Sequence, residues 1–330
     1  MIRVRLVKDW KSPDIIYQQT PYNDGIWENI HFTFDEIEEF DYLIVFNRVK
    51  HDLRFNCHPN NVWLISGEPP NPAFRWHKKS YKYFSKIFSQ NRGYFNGSLV
   101  RTHGALPWQI KMTYNDLIEL SSNKHNKIDR LSFVTSNKNW MQGHRLRLNL
   151  IKYFKSVNYD YDLYGRGFNE IQNKFHALYP YKYSIAIENT KFNHYWTDKI
   201  ADCFLSWTLP FYYGAPNIYK YFPKDSIILI NPNRKQETLD IINNAISNRL
   251  WEKRIDSIKE ARDLILNKYQ FFPFISNHIK NHQNKYRNSK IRSYTIPSNI
   301  APWENKSHHS VSIYRKIEWR IRKLFDIRPY

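Results

Sequence analysis

Ile2 to Val7 alternates apolar and polar side chains with a period of two, the pattern of a half-buried strand. Asp41–Phe46 and Val62–Ile65 are short continuous apolar runs that predict buried strands, and Lys86–Ser89 predicts another. The Val62–Ile65 run enters Ser66-Gly67-Glu68-Pro69-Pro70. Two prolines after a strand halt regular structure, so Glu68 is expected on a rigid turn at the strand's carboxyl end. The apolar-free stretch Ser121–Lys127 reads as a linker.

Beyond it the alternation of elements is clearer. A strand at Leu131–Thr135 leads through Ser136-Asn137 to a helical pattern over His144–Phe154, and a strand at Tyr161–Tyr164 leads to Gly165-Arg166-Gly167. The apolar run Tyr183–Ile187 stops at Glu188-Asn189-Thr190. Thr197 suits a helix N-cap and Asp198 the positive first turn, ahead of Ile200, Ala201, Cys203, Phe204 and Leu205 at helical spacing. Leu209–Tyr213 and Ile227–Ile230 read as strands, Glu237–Ser247 and Trp251–Leu266 as helices. Strands alternating with helices predict a parallel sheet covered on both faces, whose carboxyl-end loops face a ligand crevice. The expected division is an α/β domain over 1–122, a second α/β domain over 128–275, and a basic tail over 276–330. In that tail Ile313, Ile317, Ile321 and Leu324 form one helical stripe amid basic residues. Such a helix lies either on an anionic membrane surface or on the protein's own surface.

Composition narrows the classes. With 50 Lys+Arg against 30 Asp+Glu the net charge is +20, which favours anionic partners such as nucleotide diphosphates, acidic lipid or nucleic acid. Two cysteines, Cys57 and Cys203, exclude a disulfide scaffold and suit a reducing compartment. No G-x-G-x-x-G or G-x-x-x-x-G-K-[ST] occurs, against a Rossmann dehydrogenase or a P-loop enzyme. Neither a signal peptide nor an apolar run near the ~20 residues of a spanning helix is seen, so a cytoplasmic location, with a peripheral place on the membrane's cytoplasmic face, is expected.

The stretch Tyr181–Pro216 carries the most specific signal. Ile187-Glu188-Asn189-Thr190, Tyr195-Trp196-Thr197-Asp198-Lys199-Ile200 and Thr208-Leu209-Pro210-Phe211-Tyr212-Tyr213-Gly214-Ala215-Pro216 follow one another in order. This run resembles the C-terminal motif of the family 10 glycosyltransferases, the α-1,3/1,4-fucosyltransferases, and the bacterial members in particular. One position departs: Asp198 stands where the family usually has Glu, one methylene longer. The resemblance implies a GT-B-like fold, two Rossmann-like domains with parallel sheets facing a central cleft. It implies an inverting, metal-independent transfer of fucose from GDP-fucose to a glycan hydroxyl, with no cofactor besides the donor substrate.

Such a transfer needs a base on the acceptor hydroxyl and stabilisation of the departing diphosphate. By resemblance Glu68 matches the base, although Pro69 replaces the Asn that follows it in bacterial members. Arg145 aligns with a phosphate-binding Arg, and Arg147 is its rival because the loop length leaves the register open. Lys199 matches the family Lys, in a first helical turn whose free N–H groups also attract phosphate. Glu188, Asn189 and Asp198 are implied to line the donor, Asp198 facing the sugar as a second catalytic carboxylate. Asn137, Tyr164, Tyr195 and Thr197 complete the expected substrate-binding set. Asp160-Tyr161-Asp162 has a D-x-D form but aligns with the acid before the family's Tyr-Gly turn, so no metal site is expected there. The expected acceptor is an oligosaccharide or a lipid-linked glycan. Another nucleotide sugar, a basic nucleic-acid-binding protein and a non-catalytic carbohydrate-binding relative are the competing readings.

Overall fold

The computed structural model describes residues 1–10, 17–91, 97–122, 126–283 and 290–300, and the amphipathic stretch 313–325 lies outside them. The first sheet is built from β1 (Ile2–Val7), β2 (Ile26–Trp27), β3 (Ile30–Thr33) and β4 (Tyr42–Phe46). The chain then makes β5 (Leu53–Cys57), which stands outside this sheet, and returns with β6 (Val62–Ile65), β7 (Lys86–Ser89) and β8 (Ser98–Arg101). In space the order is β2-β3-β1-β4-β6-β7-β8, parallel apart from β2.

The period of two decides which side chain faces where. Tyr42, Ile44 and Phe46 of β4 join Trp63 and Phe88 on one face, while Leu43 and Val45 join Leu64 and Ile87 on the other. Both faces are closed from the far end of the chain. Helix α8 (Phe271–Gln283) lays Phe271, Phe272, Ile275 and Ile279 on the first face. Strand β14 (Arg292–Ile296) pairs antiparallel with β5 and puts Ile296 into the second core. Of the stretch expected to form a tail from residue 276, the end of α8 and the strand β14 therefore pack on the first domain, the helix because its apolar stripe continues from Phe271.

The second sheet follows α1 (Tyr114–Glu119) and contains β9 (Ile128–Val134), β10 (Asp162–Tyr164), β11 (Tyr181–Ile187), β12 (Leu209–Tyr213) and β13 (Ile228–Leu229). Its order is β10-β9-β11-β12-β13, all parallel. Helices α2 (Gln142–Ser156), α3 (Phe175–Leu178), α4 (Asp198–Leu205), α5 (Lys235–Ser247), α6 (Leu250–Lys253) and α7 (Ile255–Leu264) connect and cover it. Leu150 and Phe154 of α2, Ile242 of α5 and Trp251 of α6 pack on Tyr183, Ile185 and Phe211. Ile200 and Phe204 of α4 and Ala261 of α7 pack on Ala186 and Tyr212, across the sheet. Neighbouring strands β9 and β11 thus send their helices to opposite faces. That is a topological switch point, where the crevice of an open α/β sheet lies.

The crossing between domains comes earlier than the polar stretch 121–127. Trp108, Ile110 and Leu117 are already buried with Ile200 and Phe204 in the second domain's core. Two parallel α/β sheets with their strand ends facing a common cleft give the expected GT-B-like architecture. No helix among the described residues is long and apolar enough to cross a membrane.

Candidate active site

The switch point brings two helix N-termini together. Gly143, in the first turn of α2, donates its N–H to Asn189 O at 3.0 Å. A Cβ on Gly143 would lie 1.9 Å from Glu188 O, so only glycine lets the helix approach the end of β11 this closely. Beyond the end of β12, Gly214 leaves room for Glu188, whose Cγ would be 2.6 Å from an added Cβ.

Glu188 is buried, and its two oxygens accept from Thr197 N and Thr197 Oγ1, both at 2.8 Å. Thr197 is the N-cap of α4 and accepts from Lys199 N at 3.3 Å. Lys199 Nζ sits 3.1 Å from Thr197 Oγ1 and 3.5 Å from Glu188 Oε2. Burial pushes the Glu188 carboxyl up, and Lys199 opposes that. The carboxylate therefore fixes the cap of α4 and places the ammonium at the helix N-terminus, where anions are already favoured.

Asp198 is engaged elsewhere. Lys174, just before α3, bridges Asp198 and Asp202, and Asp202 also accepts from Gln109 N at 3.0 Å. Burial opposes ionisation of Asp198, but Lys174 and Lys199 outweigh it and hold the carboxyl below the usual range. Asp198 is thereby held by a lysine that the linear motif does not contain.

The two arginines divide by helical phase. Arg147 is buried and donates to Ile187 O at 3.2 Å and Asn189 Oδ1 at 2.7 Å, holding the 188–189 turn from behind. Arg145 is exposed on the same end of α2, with a long contact to Trp140 O. Asn137 is exposed in the loop after β9, its backbone N–H bonded to Arg166 O at 3.1 Å. Tyr195 is buried within electrostatic reach of Glu188, Glu68, Asp198 and Arg147, so its hydroxyl is held protonated. That places Glu68 of the first domain opposite the second domain's loops.

Tyr164 is not brought to this crevice. Its hydroxyl meets Tyr181 OH at 2.7 Å, and Tyr181 in turn donates to Asp162 Oδ2 at 2.9 Å, back towards the amino ends of β10 and β11. A strand-end tyrosine has two directions to lean in, and sequence does not choose between them. Asp160 and Asp162 pair with Arg130 at that same end of the sheet.

Glu68 stands on the turn after β6, half-buried beside Asp9, Arg48 and His77. Burial and then Asp9 push its carboxyl up, against Arg48, to about 7. A carboxyl poised there can take a proton near neutrality. Two further contacts tie the domains: His103 stacks on Trp196 at 4.6 Å, and Phe74 meets Trp140 at 6.2 Å. Gly143, Lys174 and Asp202 carry no signal in the sequence that would have singled them out, and Arg147, the rival for the phosphate contact, instead holds the 188–189 turn.

Residues 124–246 match the family model described as glycosyltransferase family 10 (fucosyltransferase), C-terminal. An α-(1,3)-fucosyltransferase of Helicobacter pylori is 31% identical over 99 residues, which are 28% of this chain and 20% of that protein. A GDP-fucose protein O-fucosyltransferase 3 of Danio rerio is 33% identical over 82 residues, 24% of this chain and 18% of its own. The chain thus spans about a fifth of the length of the curated relatives it matches. Among solved structures, an α1,3-fucosyltransferase with GDP-fucose overlaps 82% of this chain and 92% of its own, at 17% identity and a TM-score of 0.45. Residues 124–246, somewhat more than a third of the chain, are thus similar to the C-terminal domain of the family 10 glycosyltransferases.

Proposed function

We propose that the protein is an inverting, metal-independent glycosyltransferase that moves fucose from GDP-fucose to a glycan hydroxyl. The observation that carries this reading is the β9–β11 switch point, where α2 and α4 point their N-termini at one crevice and Lys199 stands at the α4 cap. A diphosphate is the anion that such a place suits. In the proposed step Glu68 takes the proton of the acceptor hydroxyl as its oxygen attacks the anomeric carbon from the face opposite the diphosphate. The bond from that carbon to the β-phosphate oxygen breaks, and the electron pair leaves with GDP. Lys199, Arg145 and the two helix N-termini balance the charge that develops on the leaving group. Asn137, Asn189 and Tyr195 complete the donor side, with Thr197 and Glu188 holding Lys199 in place. Asp198, anchored by Lys174, is assigned to steadying the α4 N-terminus and the positive charge of an oxocarbenium-like transition state.

The fucosyl donor is favoured by the family match over residues 124–246 and by the names of the relatives, which are fucosyltransferases. The shorter Asp198 keeps another nucleotide sugar as the second reading of the same crevice. The acceptor side is read as an oligosaccharide or lipid-linked glycan, and the work is placed in the cytoplasm. Incubating the protein with a panel of GDP-, UDP- and dTDP-sugars and following nucleotide release tests the proposal. GDP release from GDP-fucose above the other donors is expected, and preference for a UDP-sugar would overturn the donor.

A further inference from the structure

The turn that carries Glu68 is gripped from behind by groups the proposed reaction does not use. Gly67 N donates to Asn47 Oδ1 at 2.9 Å, and Asn47 Nδ2 donates to Asp9 Oδ1 at 3.1 Å. Arg48 Nε donates to the other oxygen, Asp9 Oδ2, at 3.2 Å. These residues follow three neighbouring strands of the first sheet: Asp9 after β1, Asn47 and Arg48 after β4, Gly67 after β6. The grip is built, since the Asp9 side chain is 14% exposed and that of Arg48 7%. Asn47 has φ 58, a left-handed conformation that asparagine adopts more readily than most residues, and its N–H also donates to Ile65 O at 2.8 Å. Arg48 is braced in turn by Asn299 O at 3.2 Å, from the segment after β14.

We propose that Asp9 and Asn47 are positioning residues for Glu68: the relay Asp9–Asn47–Gly67 fixes the turn, and the Asp9 charge, shared with Arg48, sets the electrostatic surroundings of the base. This rests on the reading of Glu68 as the base. The charged and titratable groups facing Glu68 are Asp9 from the end of β1, Arg48 from the end of β4, and His77, Arg75 and Lys78 from the turns at 72–83. Tyr195 faces it from the second domain. Burial holds His77 down to about 4, so it stays neutral through the working range, and Tyr195 stays protonated. Asp9 is thus the group whose negative charge opposes ionisation of Glu68, and Arg48 is the cation that favours it.

Replacing Asp9 by Asn keeps an oxygen for Asn47 and removes the charge. The acid limb of kcat/KM for transfer is expected to move to lower pH in Asp9→Asn, and kcat on the plateau to fall because Glu68 becomes a weaker base. Asn47→Gly keeps the left-handed backbone and deletes both side-chain bonds. It is expected to lower kcat on the order of 10²-fold, as a small misplacement of a reacting group does, with donor KM unchanged. An acid limb that stays in place in Asp9→Asn, in a protein that Glu68→Gln inactivates, overturns the relay. Should Asp9→Asn not fold, a wild-type kcat in Asn47→Gly overturns it. Transfer at the wild-type rate in Glu68→Gln would instead bring down the assignment of the base itself.

Discussion

Replacing Arg147 by Ala should damage the fold, whereas replacing Arg145 should damage only the reaction. Arg147 is buried and supplies hydrogen bonds to Ile187 O at 3.2 Å and to Asn189 Oδ1 at 2.7 Å. It is also one of the cations around buried Glu188. Truncation leaves two acceptors without their donor, each costing about 1–3 kcal/mol when buried. Allowing for water that enters the gap, a loss of about 2–5 kcal/mol is expected. For a chain of this size that corresponds to a melting temperature lower by roughly 3–7 °C. Arg145 is exposed, so Arg145→Ala should melt within about 1–2 °C of the wild type, in the range of surface substitutions. Its loss should show as weaker donor binding and slower transfer. Thermal unfolding followed by circular dichroism, with donor kinetics on the same preparations, separates the two. An Arg147→Ala protein as stable as the wild type, beside an Arg145→Ala protein with unchanged donor kinetics, would refute the reasoning.

Glu68→Gln should keep donor affinity while transfer falls roughly 10²–10⁴-fold, and wild-type kcat/KM should rise with pH through about 7 as the carboxyl ionises. A flat profile across that range would remove Glu68 as the base. Lys174→Met should destabilise the protein more as pH rises through the carboxylate range. In the wild type the depressed Asp198 carboxyl contributes stability above its unfolded pKa, and that contribution is lost as pH falls through the folded one. Without Lys174 the two buried carboxylates face each other, and urea unfolding at pH 5 and pH 8 should show the larger loss at pH 8. Gly143→Ala should disrupt the α2–Glu188 contact, because the added methyl meets Glu188 O at 1.9 Å, and donor titration should show weakened binding. Transfer should persist in EDTA, and activity lost to EDTA and restored by manganese would contradict the metal-independent reading.

The sequence shows most plainly what is local. The run Tyr181–Pro216 showed strand, polar loop, helix and strand in order, and Thr197 is the N-cap that its position before Ile200 predicts. Strand β4 showed itself by an apolar run, and β6 by the run that ends at two prolines. Partners distant in the chain left no such trace. Lys174 lies 24 residues before Asp198, and β14 pairs with β5 across more than two hundred residues. Helical phase was equally hidden: two positions separate Arg145 from Arg147, which turns one outward and the other beneath the 188–189 turn. Tyr164 shows the same limit in a strand, since its ring leans away from the crevice to reach Tyr181.

Calorimetric titration of the full chain with GDP tests the crevice most directly, because it needs neither the acceptor nor turnover. The wild type is expected to bind GDP at one site, and Lys199→Ala to bind it about 10- to 100-fold more weakly, the loss of one charged hydrogen-bonding contact. A wild-type protein that does not take up GDP, or a Lys199→Ala protein that binds it equally well, would contradict the account.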